Sequence, residues 1–214
     1  MPPCVVAYEE FTDIAGEAPF PGEEDLIANA VESRRREFIT ARRCARRALA
    51  DLGLPAAAIR SGPRREARWP AGVAGSITHC AGYRAAAVVR LGDLAGIGID
   101  AEPDAPLPDG VEATVTHAGE RAQLRALEAE APAVSWTRLL FSAKESIYKA
   151  WFPLTGRWLG FEDASLDIDR PAGLFHARLL VDGTRIDGGP PLTTLTGRFL
   201  VERGLILTAV TVPA

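Results

Sequence analysis

LLFSAKESIYKAWFP, residues 139–153, is the stretch from which the fold is most readily predicted. Apolar residues recur at spacings of three and four from Trp136 to Ala150, which is the pattern of a helix with one buried face. Pro153 predicts the end of that helix, because proline lacks the N–H that a helix interior requires. We therefore expect residues 133–152 to form one amphipathic helix.

The same stretch holds both lysines of the chain. Of 24 basic residues, only Lys144 and Lys149 are lysines, and all the others are arginines. An ammonium group is a compact charge with rotatable donors, whereas a guanidinium is a planar fork, so the two are not interchangeable. Glu145 and Lys149 are four residues apart and share one helix face. We interpret this group as functional; the alternative is an ordinary ion pair on a solvated helix.

Composition limits the class of protein. The chain has 214 residues, of which 47% are hydrophobic and 24% charged, as in a soluble protein of one domain or two small ones. A net charge of −4 argues against a surface that binds nucleic acid as a whole. Three scattered cysteines suit a reducing compartment. No signal peptide or membrane-length apolar run of about 18–20 residues is present, so we expect a cytoplasmic protein without membrane contact.

Residues 25–52 are predicted to form a long, arginine-rich helix. Seven arginines lie between Arg34 and Arg47 in a protein that is acidic overall. Arginine binds phosphate through paired hydrogen bonds, so we interpret the patch as a phosphate-binding surface. The alternative is a solvated basic face. The residues expected on the buried side are Phe38, Ile39, Ala45 and Leu49.

A segment of small and polar residues follows the polar loop at 61–70. It reads GSITHCAGY, residues 75–83. Small residues let a backbone approach a ligand closely, and Thr78 and His79 can donate hydrogen bonds. We therefore interpret residues 75–79 as a ligand-binding loop.

Two carboxylates share one face of a predicted strand at 95–102. In GIGIDAE the period of two places Gly98, Asp100 and Glu102 together. Neighbouring like charges are costly unless a cation lies between them, and carboxylate oxygens suit Mg²⁺. The alternative is a strand that simply runs into an acidic loop. The proline-rich residues 103–110 then predict a hinge between two halves.

The remaining pattern predicts a second helix at 116–130 and strands at 85–91, 174–182 and 192–213, with a hairpin turning at 202–204. Each half thus combines helix with mostly antiparallel strand, which indicates the α+β class.

Three motifs together resemble the 4′-phosphopantetheinyl transferases that serve polyketide, non-ribosomal peptide and siderophore synthesis. The motifs are GSITHCAGY (75–83), GIGIDAEP (96–103) and FSAKESIYKAW (141–151), supported by EFITARRCAR (37–46). The likeness is closest to actinobacterial members, because FEDA, PPLTTL and ERGL also recur, at 161–164, 190–195 and 202–205.

The resemblance implies the fold and the reaction. The fold would be two α+β halves, residues 1–105 and 106–214, related by a pseudo-twofold axis, with the active site in the cleft between them. The enzyme would act as a monomer, moving the 4′-phosphopantetheine arm of coenzyme A to a serine of apo acyl carrier and peptidyl carrier proteins. Adenosine 3′,5′-bisphosphate would be released.

The resemblance also implies residue roles. Asp100, Glu102 and Glu145 would be ligands of Mg²⁺, with Mn²⁺ as an alternative. Lys149 would reach the pyrophosphate and support the leaving group, whereas Lys144 would anchor local structure. Glu145 is a candidate general base, directly or through a water.

Coenzyme A itself would lie in the cleft between the two halves. His79 with Thr78 matches the family's pyrophosphate-contacting pair, in the motif that also contains Ser76. Arg34 and Arg42 are candidates for the 3′-phosphate and a neighbouring phosphate. The residues expected to contact coenzyme A are Arg34, Arg42, Ser76, Thr78, His79, Asp100, Glu145 and Lys149.

A groove for the slender arm is predicted along Tyr148, Trp151 and Trp158, although these aromatics could instead be core residues. Two other functions remain alternatives: a Mg²⁺-dependent phosphohydrolase, and a module that binds coenzyme A or a nucleotide without chemistry.

Overall fold

The computed structural model describes all 214 residues, which form two compact units: residues 1–97 with 213–214, and residues 98–212. The chain is α+β, as predicted, and none of its helices is both long and apolar enough to span a membrane. The predicted boundary between 105 and 106 stays a prediction. The elements are β1 (Val6–Glu10), α1 (Glu32–Asp51), β2 (Val73–Cys80), β3 (Tyr83–Arg90), β4 (Leu94–Pro103), α2 (Val111–Val115), α3 (Ala118–Glu130), α4 (Trp136–Thr155), β5 (Ala164–Asp169), β6 (Leu174–Leu179), β7 (Thr194–Glu202) and β8 (Leu205–Pro213).

The first unit is a three-stranded antiparallel sheet covered by α1. The strand order is β1-β3-β2, and α1 packs against all three strands. The helix begins at Glu32 and not at residue 25, because residues 24–27 form a separate 3-10 turn. Phe38, Ile39, Ala45 and Leu49 are all buried, which confirms the prediction that they form the buried side of this helix.

The prediction of a loop at residues 75–79 is wrong, because these residues lie within β2. Ser76 pairs with Ala87 and Thr78 with Ala85 on β3. Gly75 serves packing there, since a Cβ atom at this position would lie 2.6 Å from the ring of Trp69. Small residues in this motif therefore allow close packing of a strand as well as ligand approach.

The second unit is built on a five-stranded sheet in the order β4-β8-β7-β6-β5. The β7–β8 hairpin turns at Arg203 and Gly204, whose φ angles are +55° and +74°, at the position that the sequence predicts. The edge strand β5 is protected by α3, because the amides of Leu166 and Ile168 donate to Glu120 and Gln123.

Helix α4 runs past Pro153, so the prediction that this proline stops the helix is wrong. The helix ends at Thr155, and Gly156 follows with φ +67° and donates its N–H to the Phe152 carbonyl. A proline in the last turn removes only one helical hydrogen bond, and the left-handed glycine ends the helix instead. The five-residue α2 was not predicted, since it is too short to show a periodic pattern.

Gly98 brings β4 and α4 into backbone contact. A Cβ atom on Gly98 would lie 1.9 Å from the Ser146 carbonyl oxygen and 2.7 Å from the Ala150 nitrogen. No residue with a side chain fits at that distance. The close approach places the strand that carries Asp100 directly beside the helix that carries Lys149.

Candidate functional site

An acidic group of the second unit is formed where β4 meets α4. Lys149 Nζ donates to Asp100 Oδ1 at 2.8 Å and to the Ile99 carbonyl at 3.1 Å. Asp100 is buried, whereas the side chain of Lys149 is 27% exposed. The structure thus joins the carboxylate of one sequence motif to the lysine of another, and leaves the lysine accessible from solvent.

Glu145 lies on α4 one turn before Lys149. Burial raises its pKa, the negative charge of Asp100 raises it further, and Lys149 partly offsets this. Glu102 has a raised pKa for the same reasons, burial first and then Asp100, with Arg138 acting against them. Three carboxylates therefore lie close enough to repel one another, and a cation bound between them would stabilise their ionised forms.

Arg138 is a member of this group that the sequence argument missed. Its NH1 donates to Glu102 Oε2 at 2.9 Å, and its other donors bind the carbonyls of Ala105 and Pro106. Arg138 precedes Glu145 by seven residues, so both lie on the same face of α4. That spacing was visible in the sequence and could have pointed to Arg138.

The donor chemistry of Asp100, Glu102 and Glu145 fits a hard divalent cation, because all three supply carboxylate oxygens. The arrangement is not a preformed metal centre, however: no group of three or more His, Cys, Asp or Glu side chains is placed to hold a metal ion. One oxygen of Asp100 accepts from Lys149, and one of Glu102 from Arg138. Each of these ion pairs engages one oxygen of its carboxylate.

Lys144 is fully enclosed and anchors local structure, which confirms the expectation for it. Its Nζ donates to Glu120 Oε2 at 3.0 Å and to the carbonyls of Val115 and Phe161 at 2.9 and 2.8 Å. Burial lowers the pKa of Lys144. Glu120 also accepts the amide of His117, so this pair ties the start of α3 to α4.

A second polar group lies in the first unit, where α1 begins beside the end of β2. Arg34 NH1 lies 3.3 Å from His79 Nδ1, contacts His79 Nε2, and lies 3.4 Å from Glu37 Oε2. The structure therefore brings together two of the predicted phosphate contacts, Arg34 and His79. Glu37 is an addition that sequence reasoning missed, although it stands three residues after Arg34 on the same helix.

Ser76 and Thr78 occupy the opposite side of β2 from His79. Both are buried, whereas Ile77 and His79 are partly exposed. Successive side chains on a strand point to opposite faces, so Thr78 and His79 do not present their side chains to the same side of the strand.

Arg42 is buried and holds the loop that follows α1. Its Nε donates to the Ile59 carbonyl at 2.9 Å and NH2 donates to Ser61 Oγ at 3.1 Å, with the guanidinium 3.4 Å from the centre of the Phe38 ring. Burial lowers its pKa to about 10. Arg42 therefore has a structural role in addition to any contact with a ligand.

Three further arginines of α1 have close acidic partners within the chain. Arg43 pairs with Glu17 at 3.2 Å, Arg46 with the buried Glu23 at 2.7 Å, and Arg47 with Glu10 at 2.9 Å. Arg43, Arg46 and Arg47 thus have acidic partners within the chain, and phosphate binding by the patch as a whole stays a prediction. The acidic composition of residues 1–25 was the available signal, because those residues supply the partners.

Trp151 belongs to the core, so the predicted arm groove is wrong at this residue. It is completely buried, and its indole N–H donates to the Arg157 carbonyl at 3.0 Å. Tyr148 lies with its ring centroid 5.1 Å from that of Trp158, which is 64% exposed, and 5.8 Å from that of Phe152. An aromatic surface therefore remains on the exposed side of α4.

Known proteins resemble the chain across the segments that carry these residues. A family model of the 4′-phosphopantetheinyl transferase N-terminal domain matches residues 22–89, and a model of the 4′-phosphopantetheinyl transferase superfamily matches residues 96–186. The chain is 51% identical to 4′-phosphopantetheinyl transferase PptT of Mycobacterium tuberculosis over 211 residues, which cover 96% of this chain and 91% of that protein.

Two further relatives extend the comparison. The chain is 49% identical to 4′-phosphopantetheinyl transferase Svp of Streptomyces mobaraensis over 217 residues, covering 100% of this chain and 88% of that protein. It is 33% identical to enterobactin synthase component D of Salmonella typhi over 129 residues, covering 59% of this chain and 52% of that protein. The similarity to Svp thus extends over the whole of this chain, whereas the similarity to enterobactin synthase component D covers little more than half of it.

Proposed function

The chain belongs to the 4′-phosphopantetheinyl transferase superfamily, an enzyme class, and from this premise we propose its reaction. It transfers the 4′-phosphopantetheine arm of coenzyme A to a serine hydroxyl of apo acyl carrier and peptidyl carrier proteins. The observation that carries the proposal is the Lys149–Asp100 pair on α4 and β4, one helical turn from Glu145. The pair places a positive charge beside carboxylates, and phosphoryl transfer requires such a charge to stabilise the phosphate oxygens in the transition state.

The serine oxygen attacks the phosphorus that bears the pantetheine, and the bond from that phosphorus to the pyrophosphate bridging oxygen breaks. Lys149 stabilises the charge that develops on the leaving phosphate or supplies a proton to it. Glu145 accepts the serine proton, directly or through a water molecule. The leaving group is adenosine 3′,5′-bisphosphate.

Asp100, Glu102 and Glu145 are the residues proposed to hold Mg²⁺, or Mn²⁺ in its place. Bound there, the ion would neutralise charge on the pyrophosphate oxygens. Support comes from the carboxylate chemistry of all three residues and from the raised pKa values of Glu102 and Glu145, which burial causes first and the negative charge of Asp100 second.

The phosphates of coenzyme A are assigned to the polar group of the first unit. Arg34 and His79 provide its accessible donors. Arg42, Ser76 and Thr78 are also proposed to contact coenzyme A, Ser76 and Thr78 from the opposite side of β2. Arginine and imidazolium both form strong charge-assisted hydrogen bonds to phosphate. The uncharged arm is assigned to the exposed aromatic surface of Tyr148 and Trp158. The enzyme acts as a monomer in the cytoplasm, which suits its three free cysteines.

Intact-mass spectrometry of an apo carrier protein, incubated with this protein, coenzyme A and Mg²⁺, tests the proposal. The expected result is a gain of one phosphopantetheine mass that disappears with EDTA. Release of free phosphopantetheine without a carrier would favour a phosphohydrolase. Binding of coenzyme A without a mass gain for any carrier would favour a binding module.

Variants test the assigned roles in the same assay. Glu145→Gln is expected to lose most transfer activity, whereas Glu128→Gln, on the exposed face of α3, keeps it. Near-normal turnover of Glu145→Gln would remove Glu145 from both proposed roles, as base and as metal ligand.

A further inference from the structure

Glu37 stands at the centre of a cluster of cationic side chains in the first unit. Its Oε2 lies 3.4 Å from Arg34 NH1 and 3.4 Å from His79 Nδ1, and its Oε1 lies 3.7 Å from Arg84 NH2. The side chain is 23% exposed, so it is partly shielded from water. One carboxylate therefore connects three groups that come from α1, β2 and β3.

Arg84 is the fixed member of this cluster. It is 7% exposed, and two of its nitrogens pair with the carboxylate of Asp13 at 3.0 and 2.9 Å. A third nitrogen donates to the carbonyls of Cys80 and Tyr83. Because its nitrogens are engaged by these partners, Arg84 is a fixed positive charge beside Oε1 of Glu37, and Oε2 is the oxygen that lies nearer to Arg34 and His79.

Arg34 is the movable member. Its side chain is 46% exposed, and its contacts within this cluster are Glu37 and the ring of His79. A guanidinium beside an imidazole is unfavourable when the imidazole carries a proton on both nitrogens, unless an anion lies between them. Glu37 supplies that anion in the protein without ligand.

The position of Glu37 also orients the imidazole. A carboxylate beside Nδ1 favours a proton on that nitrogen, which leaves Nε2 as the atom that meets Arg34. Arg34 NH1 lies nearer to Nε2 than to Nδ1, which agrees with this tautomer, since a guanidinium can only donate.

We propose that Glu37 is a positioning residue that holds Arg34 and His79 together as one phosphate-binding pair. The proposal rests on the assignment of that pair to coenzyme A, and it adds the residue that maintains its geometry. Glu37 does not contact the ligand itself, because a carboxylate and a phosphate repel. Its loss is expected to weaken coenzyme A binding about tenfold, as expected for the loss of one charged hydrogen bond, and to change the rate at saturating substrate much less.

Calorimetric titration with coenzyme A is the first measurement, using Glu37→Leu, the isosteric Glu37→Gln, and Glu32→Gln as control. Glu32 lies on the same helix and is 69% exposed. Affinity should fall about tenfold for Glu37→Leu, less for Glu37→Gln, which keeps an acceptor, and not at all for Glu32→Gln. Affinity within twofold of the wild type in both Glu37 variants would overturn the proposal.

Two readouts separate positioning from a general loss of structure. In ¹⁵N spectra of the histidine rings, His79 should carry its proton on Nδ1 in the wild type and in Glu37→Gln but lose that preference in Glu37→Leu. In an Arg34→Ala, His79→Ala background, Glu37→Leu should cost no further affinity, because the groups it orients are gone. An undiminished cost in that background would assign Glu37 to stability alone.

The wild type distinguishes this inference from the proposed function. Should the wild type bind coenzyme A but modify no carrier protein, the proposed transfer fails while the role of Glu37 is still measured by binding. If the wild type does not bind coenzyme A, then Arg34 and His79 are not its phosphate-binding pair, and the role of Glu37 is overturned as well.

Discussion

Gly98 lies so close to Ser146 that the carbonyl oxygen of Ser146 occupies the space of a side chain at position 98. A Cβ atom there would be 1.9 Å from that oxygen. Because the opposing atoms are backbone atoms of α4, they cannot turn aside as a side chain would. This contact sets the separation of the strand and the helix that carry Asp100 and Lys149.

Gly98→Ala is therefore expected to destabilise the protein by about 3 kcal/mol, at the upper end of the usual cost of overpacking. Transfer activity should fall further than stability explains, since α4 must move away from β4. Urea unfolding and the carrier-modification rate are the measurements. Gly119→Ala is the control, because no atom lies within 4 Å of a Cβ at that position. Equal stability of the Gly98 and Gly119 variants would show that the contact relaxes without cost.

The sequence was sufficient for the features that depend on local periodicity. The buried face of α1, the β7–β8 turn and the α+β class followed from spacing and turn residues. It was not sufficient for Gly75, whose small size serves the ring of Trp69 and not a loop conformation. Which neighbour a glycine accommodates depends on tertiary packing, and a single sequence does not contain that information.

The candidate site shows the same division. The motifs identified Asp100 and Lys149, which the structure joins at 2.8 Å. They did not identify Arg138 or Glu37: the helical spacing of both residues was visible, but their partners Glu102 and His79 lie far away in the chain. The internal partners of the arginine patch were missed for the same reason: the acidic partner of Arg46, Glu23, lies 23 residues earlier in the chain.

Lys144→Met is expected to cost about 3–5 kcal/mol of stability, because it leaves the Glu120 carboxylate buried without its cation. The double variant Lys144→Met, Glu120→Gln should recover part of this loss, since no uncompensated charge remains. Urea unfolding of the two variants and the wild type measures both effects. A stable single variant that has lost transfer activity would instead place Lys144 in the chemistry.

Asp182 should make stability depend on acidity in a defined range. Hydrogen bonds from Thr184 and from Arg157 lower its pKa from 3.8 to about 2. The folded pKa lies below the unfolded one, so the contribution is fully present above the unfolded value and is lost as pH falls through the folded value. At neutral pH the wild type should be more stable than Asp182→Asn. This difference in the free energy of unfolding should shrink as the pH falls from about 4 to about 2. Denaturant unfolding at several pH values measures it; a difference that does not change with pH would contradict the assignment.

Lys149→Met removes the cation that pairs with Asp100. Because Asp100 is buried and loses this partner, some stability is also expected to be lost, and urea unfolding measures that loss separately from the rate. The rate of carrier modification at saturating coenzyme A should fall about 10²-fold or more, because the group that supports the leaving phosphate is gone. Lys149→Arg is the informative partner: it keeps the charge but not the compact ammonium, and it should recover only part of the rate. Full activity of Lys149→Arg would mean that charge alone matters here, and would remove the reason for a lysine in a chain that otherwise uses arginine.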